Sequence, residues 1–507
     1  MSTRLRRLRM AGALAMLLAM PGLVQADDTA AANRLFVAAV NAWGEAQALS
    51  PAGEAEARQR AALLEAVVGN LRQIVDSHSG ADLAVRLVIG EKIGPLSLPV
   101  AEAALQDALC GIAPDSACFF RDALRVIASI EHTRPRDSAR VELVTALSGA
   151  GDFDGALSVL GAITDSGERV TGWTRLVERA TDRDLVNRAR TAISAAEPGI
   201  SRRIGLLRVL EAQVRSGLFE DANDTLAMFD EPGDMQTPLA SLSRGLHAAG
   251  LQREAARKAA AVENNTLRAR LLAEIGDRKG ALDTARGLED VGRRAHALLQ
   301  VAIALEDPGI LAEALDLARQ PDVPADWRLI GNIAAAMRND ALLREAVGAV
   351  FEGDDPEGVF SPLRALIRLQ IEAGFLDDAF AGIRRLTSEA ARDQLLIELA
   401  EAADSVDFFE TALAIVRSGT PRSDREFALR RIGVLHVRHG RLAQAREIAS
   451  ALQFPTYAPD VIERHIAVWQ ARQGLPVEAA ATARAIKTPL QQALALVGIG
   501  SALAGNP

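Results

Sequence analysis

Few side chains in this sequence have types and spacings that could do chemistry. Arg364 and Arg368 lie four residues apart, so on a helix both project to the same side. Paired guanidinium forks suit a carboxylate, because each planar fork can donate two parallel hydrogen bonds to one anion. Cys110 and Cys118 are the only cysteines, with seven residues between them. No Cys-x-x-Cys and no nearby histidine extends them to a zinc or redox site. In an oxidising compartment they would form a disulfide, worth roughly 2–3 kcal/mol by loop-closure arithmetic. His436 and His439 lie three apart on a predicted helix, but no carboxylate or third histidine completes a metal set. The acid pairs Asp354-Asp355 and Asp377-Asp378 fall in turns or first helical turns, where they favour the helix dipole. No glycine-rich phosphate loop, His-Glu-x-x-His or Gly-x-Ser-x-Gly is present. The sequence therefore predicts a binding protein with no cofactor and no metal, and no enzyme.

The elements that must position these groups are helices. Of 507 residues, 49% are hydrophobic, 24% charged and only 4% aromatic, which argues against both disorder and a β-sandwich or barrel. A mean hydropathy of +0.09 is too low for a multi-span membrane protein. With 57 basic against 66 acidic residues the chain carries −9, which argues against a nucleic-acid partner.

Residues 1–26 have the three-part pattern of a secretory signal peptide. Arg4, Arg6, Arg7 and Arg9 precede the apolar run Met10–Met20, which is too short to span a bilayer, and Val24-Gln25-Ala26 offers small residues for cleavage after Ala26. The expected location is periplasmic or secreted, and the mature balance is −13, from 53 basic and 66 acidic residues.

Self-similarity is the dominant signal. Gly151-Asp-Phe-Asp-Gly-Ala156 aligns with Gly217…Ala222, Gly250…Ala255, Gly276…Ala281, Gly309…Ala314, Gly374…Ala379, Gly440…Ala445 and Gly474…Ala479. Cys118…Ala123, Asp184…Ala189, Ala341…Ala346 and Asp407…Ala412 fill the gaps, so successive frames lie mostly 33 residues apart. The step from Gly250 to Gly276 is only 26 and marks a shortened repeat, where a bend is expected. Proline recurs 15 residues after the frame start at Pro232, Pro324, Pro356, Pro455 and Pro489, a position that ends one helix or begins the next. The glycine suits a helix C-cap with positive φ, and the alanine suits a close approach of two helices. Each unit thus reads as a helical hairpin that must borrow its neighbours' apolar faces. Residues 27–103 fall outside the register and read as an N-terminal helical cap, with 104–507 as the repeat array.

This pattern of unit length, small turn residue and alanine five later resembles the tetratricopeptide repeat. The resemblance implies a right-handed α-solenoid of about twelve helical hairpins. It also implies a concave groove lined by the first helix of each unit. On the family's register Arg364, Arg368, Arg430 and Arg464 fall on the groove side, with Arg431 beside them. The expected partner is then a protein or peptide with an acidic segment or a free C-terminal carboxylate. The expected function is a protein-interaction scaffold. Alternatives are a helical superstructure assisting an enzyme of peptidoglycan or polysaccharide, and a small-ligand carrier.

Overall fold

The computed structural model describes residues 25–49, 54–229, 231–320, 326–351, 360–386, 388–403, 413–414, 422–452 and 457–505. The expected leader up to residue 24, the frame Asp407…Ala412, the pair Asp354-Asp355 and the marker prolines Pro324, Pro356 and Pro455 lie outside them. Among the described residues every regular element is a helix, apart from one isolated bridge between Ile93 and Leu96. The fold is all-α, and no described helix is long and apolar enough to cross a membrane.

The chain forms two compact units, the first ending at Arg121 and the second running from Asp122. The first contains α1 (Gln25–Ala48), α2 (Glu54–Ser77), α3 (Asp82–Val88) and α4 (Leu98–Ile112), and α5 (Ser116–Ala128) crosses into the second. Helix α2 packs against both α1 and α4 around Val67, Leu71, Ile74 and Leu87. Ser97 caps α4 by accepting from the amide of Val100, with proline in the first turn where a missing N–H costs nothing. A Cys110–Cys118 disulfide, Cα atoms 5.6 Å apart, ties the end of α4 to the start of α5.

The second unit continues with α6 (Thr133–Gly149), α7 (Phe153–Gly161), α8 (Ser166–Arg179), α9 (Arg183–Ser194), α10 (Ile200–Arg215) and α11 (Phe219–Leu226). Next come α12 (Gln236–Ala248), α13 (Gln252–Ala260), α14 (Asn265–Glu274), α15 (Arg278–Arg286), α16 (Val291–Leu305), α17 (Pro308–Ala318) and α18 (Trp327–Ala336). Then follow α19 (Asp340–Phe351), α20 (Phe360–Glu372), α21 (Leu376–Arg384), α22 (Glu389–Ala403) and α23 (Arg422–Arg438). The last four are α24 (Leu442–Ala451), α25 (Ala458–Arg472), α26 (Pro476–Ala485) and α27 (Pro489–Leu503). Of the marker prolines, Pro489 begins α27 and Pro232 begins a short 3-10 helix, Pro232–Met235.

Seven of the repeat glycines carry the expected positive φ, between 71° and 85°, from Gly151 to Gly474. All eleven described repeat alanines, from Ala123 to Ala479, have no exposed surface, because each sits where its helix meets a neighbour. Two units depart from the expected register. Gly309 lies in the first turn of α17, capped by Asp307, and the left-handed residue is Glu306 at φ 52°. Likewise Ala341 lies inside α19, and the turn falls on Arg338 at φ 50°. In both, the turn comes three residues earlier than the sequence alignment places it. The shortened step coincides with α14, of only 10 residues.

Packing in this unit follows one rule. The first helix of each pair packs on the first helix of the next: α6 on α8, α8 on α10, and so through α12, α14, α16, α18, α20, α22, α23, α25 and α27. The series does not stop there, because α27 packs against α6. The unit closes on itself, which the sequence reading of a solenoid did not foresee. Small residues let the helices meet near the seam. A Cβ added at Gly433 would lie 2.6 Å from Ile462 Cδ1, and one at Gly498 would lie 2.5 Å from Val468 Cγ2.

Polar ties reinforce the joints between first helices. Asp137, fully buried on α6, accepts at Oδ2 from the Thr164 amide, the Thr164 hydroxyl and the Asp165 amide, each at 2.8 Å. Its Oδ1 takes a 2.6 Å bond from Arg140 Nη1. Asp460 on α25 repeats the device, accepting from the amide of Thr488 at 2.9 Å and from its hydroxyl. Gln236 does the same with the amides of Glu263 and Asn264.

An arginine-lined cavity at the seam

Arginine–glutamate bridges connect successive first helices at a constant sequence separation. Arg208 meets Glu178 at 3.3 Å, Arg244 meets Glu274 at 2.6 Å, Arg368 meets Glu398 at 2.6 Å and Arg431 meets Glu401 at 2.7 Å. In each case the partners are 30 residues apart, about one unit less one helical turn. Arg464 on α25 is placed to continue the ladder, but the residues 30 before and after it are Val434 and Leu494. Its guanidinium instead donates to Gln491 Oε1 at 3.0 Å and lies 3.3 Å from His465 Nε2.

Around Arg464 the seam lines an open cavity of about 920 Å³, bounded by α6, α8, α23, α25 and α27 alone. Every wall is a first helix, so this is the inner side of the closed array. Four arginines line it, Arg179, Arg438, Arg464 and Arg472, against one acid, Glu142. A side cavity of about 430 Å³ shares Val434, Arg438, Arg464 and His465 with it and adds Arg430, Arg431, Glu401 and Tyr457. Among the described residues, Arg430, Arg438, Arg464 and Arg472 make no ion pair. Arg430 lies over the rings of Phe427, 5.1 Å from the centroid, and Tyr457, 5.8 Å away.

The electrostatics follow from burial and from like charge. Burial, followed by the charges of Arg464, Arg438 and Arg472, pushes the His465 imidazole down to about 4. At neutral pH His465 is therefore uncharged. Because an arginine only donates, the Nε2 facing Arg464 is the lone-pair nitrogen and Nδ1 carries the proton. Burial, and then the charge of Arg430, lower the Arg464 guanidinium, and Glu142 opposes them. It remains a cation, but one that an anion would relieve.

The structure divides the sequence-predicted arginines. Arg430, Arg431 and Arg464 come together in the side cavity. Arg364 and Arg368 do point the same way, but onto Glu398 of the same chain, at 3.5 and 2.6 Å. Their charge is met internally, and that opposes the Glu398 carboxyl's burial and holds it below the usual range. Sequence reasoning missed Arg438, Arg472, His465 and Trp469. The spacing of Arg464, His465, Val468, Trp469 and Arg472 marks one helix face, which was legible, but nothing local announces what that face meets. Trp469 is half-buried, like Trp43, Trp173 and Trp327, and packs against the core beside the cavity. His436 is wholly buried, as a position packed inside its pair would be.

No family model and no curated protein matches the sequence. Among solved structures, the chain is similar to the crystal structure of Ton1535 from Thermococcus onnurineus NA1, at 17% identity and a TM-score of 0.24, covering 71% of this chain and 99% of that one. It is also similar to a circular tandem repeat protein with novel repeat topology and enhanced subunit contact surfaces, at 15% identity and a TM-score of 0.10, covering 90% and 85%. Likenesses this distant carry no argument about function.

Proposed function

We propose that the protein is an exported interaction scaffold that holds an acidic segment of a partner protein against the inner wall of its repeat array. In this reading the array is a right-handed, tetratricopeptide-like solenoid of about twelve hairpins, and the leader directs it to the periplasm. The observation that carries the proposal is the break in the arginine–glutamate ladder. On the ladder the chain supplies the carboxylates itself, whereas at the seam Arg430, Arg438, Arg464 and Arg472 make no ion pair among the described residues. Burial makes the Arg464 guanidinium costly, and a partner's carboxylates would offset that cost.

The test is affinity purification of the mature chain from its own envelope fraction, beside an Arg430→Glu/Arg438→Glu variant shown by circular dichroism to keep its helix content. A stoichiometric partner retained by the wild type and lost by the variant supports the reading. A partner held equally by both places its binding surface elsewhere.

A further inference from the structure

We infer that the larger seam cavity is a small-molecule site for an amphiphilic anion, a carboxylate on an unbranched apolar body. This goes beyond the scaffold reading and does not require it.

Two kinds of side chain line this cavity. Part of the lining is cationic, from Arg438, Arg464 and Arg472. Part is apolar, from Val468 and Trp469 of α25, interleaved with Arg464 and Arg472 on one helix face, and from Leu490, Leu494 and Val497 of α27. A purely inorganic anion would leave the apolar wall uncovered. A neutral apolar ligand would leave the guanidinium groups unmet. A molecule with a carboxylate at one end and a hydrocarbon body satisfies both, through charge-assisted hydrogen bonds at its head and removal of apolar surface from water along its tail. The volume of about 920 Å³ is in the range of sites that enclose ligands of drug size.

Local chemistry orients the head. Arg464 is held from one side by Gln491, and neutral His465 accepts from it without contributing charge, so the fork is fixed before a ligand arrives. Glu142 on α6 also lines the cavity and its charge acts on Arg464, so it disfavours a second negative charge on the ligand. A single carboxylate head is therefore preferred over a dicarboxylate.

The experiment uses the full mature chain and isothermal titration calorimetry with three probes: dodecanoate, dodecyltrimethylammonium and acetate. Dodecanoate is expected to bind, the cation of equal tail length and acetate each at least about tenfold more weakly. Arg464→Gln should weaken dodecanoate by about ten- to hundredfold, the usual loss when a hydrogen bond to a charged group goes. Leu494→Asp should abolish it by placing a carboxylate in the apolar wall. Arg368→Gln, on the ladder but outside the cavity, should change nothing. No binding of dodecanoate, equal binding of the cationic probe, or dodecanoate affinity unchanged in both cavity variants would overturn the inference. None of these results bears on whether a partner protein is captured, so the two readings fail separately.

Discussion

Replacing Asp137 with asparagine keeps the shape of the side chain and removes its charge, which makes it the sharpest probe of how successive helices are joined. The native carboxylate is wholly buried and accepts four hydrogen bonds, three at Oδ2 and one at Oδ1. An asparagine has one acceptor oxygen, so its amide must face either Arg140 or the Thr164–Asp165 donors. Breaking one side of a buried charged network costs about 3–5 kcal/mol. At about 1.4 kcal/mol per decade that is a rise of about two to three and a half decades in opening of the α7–α8 connection. Hydrogen exchange read by mass spectrometry on that connection, corrected for intrinsic rates, measures it directly, because the amides of Thr164 and Asp165 are the bonded groups. The pH dependence adds a second readout. Burial pushes the Asp137 carboxyl up, but the bonds from Asp165, Thr164 and Arg140 outweigh it and hold the group below its ordinary range. A lowered folded-state pKa means stability that is present above the unfolded value of about 3.9 and lost as pH falls through the lower folded value. The wild-type connection should thus hold to about pH 4 and loosen below it, and the variant should show no such transition. An opening rate within about threefold of wild type would refute the argument that this carboxylate holds the joint.

Other positions give quicker tests. Gly374, at φ 84°, should lose about 1–2 kcal/mol on substitution by alanine, whereas Arg338→Gly at the unit whose turn lacks glycine should be neutral or stabilising; urea titration of each variant decides it. Reducing or removing the Cys110–Cys118 bridge should cost the first unit about 2–3 kcal/mol and leave exchange in the second unit unchanged. His465, held down to about 4, should show no imidazole titration by NMR near its usual 6.5. Because the unfolded chain takes up that proton first, the seam should weaken as pH falls from about 6.5 towards 4, and His465→Phe should flatten that slope.

What the sequence made legible is whatever repeats. The turn glycines and the buried alanines follow from a unit that recurs, and each has a local steric reason. The register slipped at Gly309 and Ala341 because a capped helix start, Asp307-Pro308-Gly309, has the same residue types as a turn. The left-handed residues there are Glu306 and Arg338, which carry no signature. Arginine positions were legible as helix faces, but their counter-charges were not. Glu398 reaches Arg364 and Arg368 from the next first helix, and only the three-dimensional offset between units shows that 30 residues is the bridging distance.

Closure left a trace that the periodic reading passed over. An array that ends in water needs a terminal helix with one polar face. The last helix instead buries Gln491, Ala493, Ala495, Leu496, Val497, Ile499 and Gly500, an arc of more than half its circumference. So wide a buried arc needs more than one neighbour to cover it. The partner that covers its second face is α6, whose Val141, Val144 and Leu147 are themselves buried. Joining the ends adds an interface without adding a unit, so the stability gained there is not shared with any repeat boundary visible in the sequence. It also places α27, with Leu494 where the ladder would need an acid, beside Arg464. The same step that joins the first and last helices of the unit therefore creates a stretch of inner wall that carries both cationic and apolar side chains. Deleting α27 should uncover α6 and abolish the cavity together, which dye binding to exposed apolar surface and dodecanoate titration would report in parallel. Loss of one without the other would mean that closure and cavity are separate properties.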